Sequence, residues 1–275
     1  MCWLLKNFLL LLMLWITGIF PSVAKNTEQI ILTAFHYPPY MDESQPSGGV
    51  FCELVSAAYK ASGYTVTYRF YPLMRSTKYV LSGTALGQLG TEWNFPEASR
   101  NKDITPVPLF YYRVVGFYRK DRFSNIRFSS LADLSNYHLG VILGSSDAQI
   151  FKTVHNLMVE EVSQGEQMFK KVQVNRNDIG FMAELSGLSI LQRDYQDQLD
   201  QWVMTEDIIQ GLVAQVVFSR KYPDAEKYIE ALQSGIRTIR SNGTYTRIFE
   251  KYYGKGRLPA KVSDINQKAY SIPKT

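Results

Sequence analysis

Apolar positions along this chain change period in a regular order. QIILTAF (29–35) is a short β-prone run that ends in the turn-rich HYPPY. Val50, Leu54, Ala57, Ala58 and Ala61 then recur at helical spacing, with Gly63 as a stop. TVTYRFY alternates with period two at Val66, Tyr68 and Phe70, and LMRSTKYVLSG predicts a short helix ending at Gly83, followed by the apolar run ALGQLG. YYRVVGFYRK (111–120) reads as a strong strand, after which DRFSNIRFSS is polar. A second set starts with LADL, HLGVIL and a helix from Gly144-Ser145-Ser146, and continues through EQMFKKV, DIGFMA and WVMTEDI. GLVAQVVFSRK (211–221) is a further strand. Two helices close the pattern, one with Tyr228, Leu232, Ile236 and Ile239 on a face, the other with Tyr245, Ile248, Phe249 and Tyr252. Such alternation argues for βαβ units, a parallel sheet and helices on both of its faces.

Ahead of this pattern, residues 1–24 read as a secretory signal. Lys6 supplies the positive end, FLLLLMLWITGIF (8–20) the apolar core, and Ser22-Val23-Ala24 the small residues of a cleavage site after Ala24. The core is too short to span about 30 Å of hydrocarbon comfortably. The reading places the product in the periplasm. Cleavage would remove Cys2 and leave Cys52, within GGVFCELVSAAYK, as a small core residue rather than a reactive thiol.

Composition narrows the classes. Two Cys exclude a disulfide scaffold and three scattered His exclude a His-cluster metal site. A net charge of +5, with dispersed basic residues, gives no nucleic-acid footprint. The chain shows no phosphate-cradling GxxxxGKS, no GxGxxG and no Ser/His/Asp order, so no cofactor is expected.

Four ordered motifs carry a resemblance. YPPY (37–40), GGVFCELV (48–55), SLADLSNYHLGVILGSS (130–146) and SNGTYTRIFEKYYG (241–254) resemble the family 3 extracytoplasmic solute-binding proteins, the polar amino-acid type that serves ABC importers. The resemblance implies an α/β, two-lobed periplasmic-binding-protein fold (type II), with two parallel or mixed sheets flanked by helices and a two-strand hinge. Lobe one would comprise 25–113 plus 217–258, lobe two 114–216, and 259–275 a basic C-terminal tail. It also implies a monomer that captures a small solute and delivers it to an ABC permease. Independently, parallel sheets bind ligands at the carboxyl ends of their strands.

Candidate ligand contacts follow. Tyr37 and Tyr40 sit in a double-proline turn that limits the entropy lost when a ring meets a ligand; Tyr40 serves equally as packing. Arg100 stands where the resemblance places an arginine gripping the ligand carboxylate with a two-pronged hydrogen bond, although Glu97 occupies the position of that motif's threonine. Trp93 lies where amino-acid binders carry small hydroxyl residues. Arg75 opens a predicted helix, where the dipole disfavours a cation, so a functional placement competes with a plain surface arginine. Ser145 and Ser146 follow Gly144 at a strand-to-helix turn and could hold an anion's oxygens, whereas Asp147 reads as a helix cap. The acid that holds an amino acid's ammonium would fall on Ala183, with Glu184 beside it. The expected ligand is small, polar and carboxylate-bearing. A dehydratase-like enzyme on the same scaffold and a sensor delivering to a separate receptor are the other readings.

Overall fold

The computed structural model describes residues 28–256 and Leu258. The proposed signal at 1–24 and the tail at 259–275 lie outside them. The elements run β1 (Gln29–Ala34), α1 (Val50–Ala61), β2 (Thr65–Phe70), α2 (Leu73–Leu81), β3 (Gly87–Gly90), α3 (Glu97–Arg100) and β4 (Ile104–Arg119). There follow β5 (His138–Ile142), α4 (Ser146–Phe151), β6 (Met158–Val162), α5 (Gly165–Gln173), β7 (Ile179–Ala183) and α6 (Glu184–Asp194). The chain then forms β8 (Trp202–Ser219), α7 (Ala225–Ser241) and α8 (Thr244–Tyr253).

The strands form one curled mixed sheet in the order β2-β1-β3-β8-β4-β7-β5-β6. β1 is parallel to both β2 and β3, and β5 is parallel to both β6 and β7. Between these parallel trios run β4 and β8, an antiparallel pair of 16 and 18 residues. Hydrogen bonding is therefore continuous where two separate sheets were expected, because the crossing strands are long enough to belong to both halves. The same length merges WVMTEDI and GLVAQVVFSRK, which read as separate segments, into the single β8. The pairing of β4 with β8 slips between Pro108 and Phe110 and twice more between Val114 and Phe117, where the sheet bends from one half toward the other.

Separate cores lie on either side of this pair. One is built around Leu32, Leu54, Val55, Phe110, Leu232 and Phe249. On the other side, Val141, Phe151 and Phe181 gather under one face of the sheet, and Phe117, Phe169 and Trp202 under the other. Cys52 is fully buried in the first core, where burial pushes its thiol up to about 12, so it is an inert packing residue. The closing GTY motif has a structural purpose. The Tyr245 hydroxyl donates to the Leu109 carbonyl at 3.0 Å, and an Arg240 Nη donates to the same oxygen at 2.9 Å, next to the slip in β4. Among the described residues no helix is long and apolar enough to cross a membrane.

Candidate ligand-binding cleft

The site begins with the turn after β1. Its Tyr37-Pro38-Pro39-Tyr40 segment is held at both ends: Tyr37 and Met41 exchange backbone hydrogen bonds at 2.8 and 2.9 Å, and the first amides of α1 donate back into it. Val50 N–H reaches the Pro39 carbonyl and Phe51 N–H the Tyr40 carbonyl, so two donors that a helix start leaves unsatisfied are met by the turn. Gly49 makes that docking possible. It has φ +91°, and a Cβ there would stand 2.6 Å from the carbonyl oxygens of Pro39 and Tyr40. The rings of Tyr37, Tyr40 and Phe110 then stack nearly parallel, with centroids 5.7 and 6.0 Å apart.

These rings form one wall of a cavity of about 540 Å³, within the size range of small-molecule sites. Its lining comes mostly from residues just beyond the carboxyl ends of parallel strands. Phe35 and Tyr37 follow β1, Tyr71 and Pro72 follow β2, and Thr91 and Asn94 follow β3. From the opposite side come Leu143, Gly144, Ser145 and Asp147 after β5, and Ser163 after β6. The cavity therefore lies between the two halves, at the place that strand polarity alone dictates.

Tyr37 bridges it. Its ring is half-buried in the cavity wall, while its hydroxyl is buried near the backbone of Ala183 and the side chain of Ser186, at the β7–α6 junction of the other half. Ser186 Oγ also donates to the Pro38 carbonyl at 2.6 Å. Burial first, and then the nearby Asp147 carboxylate, hold the Tyr37 phenol well above its ordinary range. It stays neutral and available for hydrogen bonding at any physiological pH.

The structure gathers some of the residues singled out in the sequence and disperses others. Tyr37, Tyr40 and Ser145 line the cavity, although Tyr40 is only 2% exposed and acts mainly as the stacked layer behind Tyr37. Ser145 Oγ accepts from Ala148 N–H at 3.0 Å and so also caps α4. Ser146 begins that helix. Arg100 is not in the lining: its guanidinium stacks 4.2 Å over the Trp93 ring and its Nε donates to the Phe95 carbonyl at 3.1 Å. Trp93 is 39% exposed and likewise outside the lining. Arg75 lies in the first turn of α2, exposed and away from the cavity wall. Glu184 is buried, but it opens α6 instead of facing the cavity, and the Arg113 guanidinium holds it through two hydrogen bonds, one of 2.9 Å. Partners nearer in space hold Arg100 and Glu184, two of the charges expected to grip a solute.

Other lining residues went unmarked in the sequence: Phe70, Tyr71, Thr91, Asn94, Tyr112, Leu143 and Ser163. Tyr71, Thr91, Asn94, Leu143 and Ser163 share one signal, a position one to four residues past a strand end, whereas Phe70 ends β2 and Tyr112 lies within β4. Asp147, read as a cap, is 4% exposed and part of the wall. No group of three or more His, Cys, Asp or Glu among the described residues could hold a metal ion.

No family model and no curated protein matches the chain. Solved structures do. The GluR0 ligand-binding core from Nostoc punctiforme in complex with L-glutamate aligns over 82% of this chain and 99% of its own, with a TM-score of 0.65 at 16% identity. The amino acid ABC transporter substrate-binding protein AbpA from Streptococcus pneumoniae, bound to L-arginine, covers 82% and 94% with a TM-score of 0.63 at 14% identity. A histidine kinase sensor domain with similarity to periplasmic binding proteins covers 83% and 97% at 0.65 and 20% identity. The fold is that of the two-lobed periplasmic binding proteins. At these identities the likeness fixes the architecture and leaves the chemistry of the cleft to its own residues.

Proposed function

We propose that this chain is a solute-binding protein that captures a small molecule between its two halves and presents it to a membrane permease. The observation that carries the reading is the cavity itself: it is ring-lined, suited in size to a small molecule and built from the strand ends of both halves. The fold is one that solved amino-acid transport proteins share. In this reading residues 1–24 direct export to the periplasm, 25–113 with 217–258 form one jaw and 114–216 the other, and the chain acts as a monomer without catalysis.

Tyr37, Tyr71, Asn94, Ser145 and Asp147 are the contacts this geometry favours. Arg75, Arg100 and Glu184 are not among them, so the expectation of a two-pronged arginine grip on a carboxylate is not carried forward. A second reading, a sensor that signals to a separate receptor when it closes, draws on the likeness to a histidine kinase sensor domain.

The test is ligand-dependent stabilisation of exhaustively dialysed protein against a broad panel of small metabolites. A true solute at ~100 times its dissociation constant adds about 2.7 kcal/mol to unfolding. If no compound raises the melting temperature, the binding-protein reading fails. Co-purification with a cognate permease separates delivery to an importer from signalling to a receptor.

A further inference from the structure

The cavity wall is a stacking surface assembled in advance. Tyr37, Tyr40 and Phe110 lie nearly parallel, at 16° and 13°, and burial rises inward along this ladder. Tyr37 is half-buried, Tyr40 is 2% exposed and Phe110 is fully buried. Tyr71 lines the same space and is braced edge-on by Tyr79, with centroids 5.1 Å apart. Across the cleft, just after β5, Leu143 belongs to the lining and is 63% exposed. Among the described residues neither lysine nor arginine contributes to the lining. We propose that the cleft selects an uncharged aromatic solute, stacked on Tyr37 and covered from the other half by Leu143. The inference rests on the binding-protein reading above and names the solute class for the same site.

Both walls contribute to the selection. Aromatic pairs in offset-parallel or edge-to-face arrangements gain attraction beyond the area they bury, which a saturated group of equal size does not. Tyr37, the outermost ring of the ladder, is already fixed in the wall, so a planar solute that meets it orders little on binding. An exposed leucine gains from leaving water only when something apolar covers it, and the second face of a stacked ring offers that cover to Leu143. Charge is disfavoured by the same surfaces. A carboxylate would leave water with no guanidinium or ammonium in the lining to meet it, a cost that a neutral ring avoids. Asp147, the buried acid of the wall, has an interaction of its own within the protein, and the selection does not draw on its charge. Glu43, the other acid of the lining, is exposed to water, where an ion pair adds little. Asn94, whose side-chain oxygen takes the Thr91 N–H at 3.0 Å, carries two amide hydrogens for a neutral oxygen on the solute.

The experiment is calorimetric titration of dialysed protein with two matched series. p-Cresol is compared with its saturated counterpart 4-methylcyclohexanol and with the charged phenols tyramine, tyrosine and 4-hydroxyphenylacetate. 2-Naphthol is compared with decahydro-2-naphthol and 6-hydroxy-2-naphthoate. The expected result is that at least one neutral phenol binds about tenfold or more tighter than each charged relative. It should also bind roughly threefold or more tighter than its saturated counterpart. Leu143→Ser should weaken binding of that phenol about fivefold, and because Leu143 is exposed the ligand-free variant should melt with wild type. A charged or saturated relative that equals the phenol overturns the proposal, as does an affinity left unchanged by Leu143→Ser. Binding confined to non-aromatic compounds of the wider metabolite panel also overturns it, and each of these results leaves the binding-protein reading intact. Binding of no compound, probes and panel alike, overturns both.

Discussion

Arg100 shows how a side chain's nearest neighbours decide its role before any ligand arrives. From the sequence it stands where an arginine could grip a carboxylate, and nothing in the one-dimensional pattern says otherwise. In the fold, Trp93 offers its ring face at 4.2 Å and Phe95 its carbonyl at 3.1 Å, and both are within a few residues of Arg100, so the guanidinium is satisfied locally. Such a contact at a partly exposed site contributes about 0.5–1 kcal/mol. Arg100→Ala is therefore expected to lower stability by roughly that amount and to leave ligand affinity within twofold of wild type. Denaturant unfolding and titration of the same sample check both halves; a tenfold loss of affinity would restore Arg100 to the site. Tyr37 and Asp147 contrast with it, since their positions are set by a turn and a helix start that face the cavity whatever their side chains do.

At the scale of elements, the wall of the site depends on how the β1–α1 connection docks on the helix it precedes. Gly49 holds φ +91° with the carbonyls of Pro39 and Tyr40 pressed against it, and the first two amides of α1 are bonded into the same turn. Gly49→Ala places a methyl group where those oxygens are and adds left-handed strain, a combination expected to cost about 2 kcal/mol or more. The turn must shift for the variant to fold, which moves Tyr37, so ligand affinity should fall along with the melting temperature. An affinity untouched at reduced stability would show that the ring's position does not depend on this docking. Elements of this kind were legible in the sequence: the helical spacing of α1, α7 and α8, the period-two alternation of β2 and the prolines after β1 all state local preferences that the fold keeps. β6 was not legible, because Met158 and Glu160 point to solvent at the sheet edge and leave MVEEV with a weak apolar alternation. Nor was the continuity of β8, whose central residues take strand form through pairing with β4, a partner about a hundred residues away. The cavity's location could be read from strand polarity, but the destination of each charged side chain could not, because Arg113 meets Glu184 only once β4 and α6 are packed.

For the molecule as a whole, the most uniform electrostatic feature is its set of buried phenols. Tyr37, Tyr40, Tyr59, Tyr68, Tyr245 and Tyr253 all belong to the core of the first half or pack against it, and in each burial is the largest cause holding the hydroxyl above its ordinary pKa. The sign of the linkage follows. Below about pH 9 these groups are neutral in both folded and unfolded chains and contribute no pH dependence. As pH rises past ~10 the unfolded chain releases phenolic protons that the folded chain retains, so the folded state holds more protons and loses stability with each further step. Because several phenols share this behaviour, the decline should be steep and should coincide with loss of tertiary structure. Urea midpoints measured from pH 8 to 11.5 are expected to stay level with respect to these groups up to about 9.5 and then drop. Phenolate absorbance near 295 nm should rise in one cooperative step as near-ultraviolet dichroism vanishes. Gradual ionisation of all the tyrosines with dichroism intact to pH 11.5 would mean that solvent reaches these rings freely. A ligand held against Tyr37 should move the step to higher pH, since binding favours the folded state alone. Ligand-dependent alkaline titration thus reads out, in one measurement, whether the cleft and the core beneath it unfold as a unit.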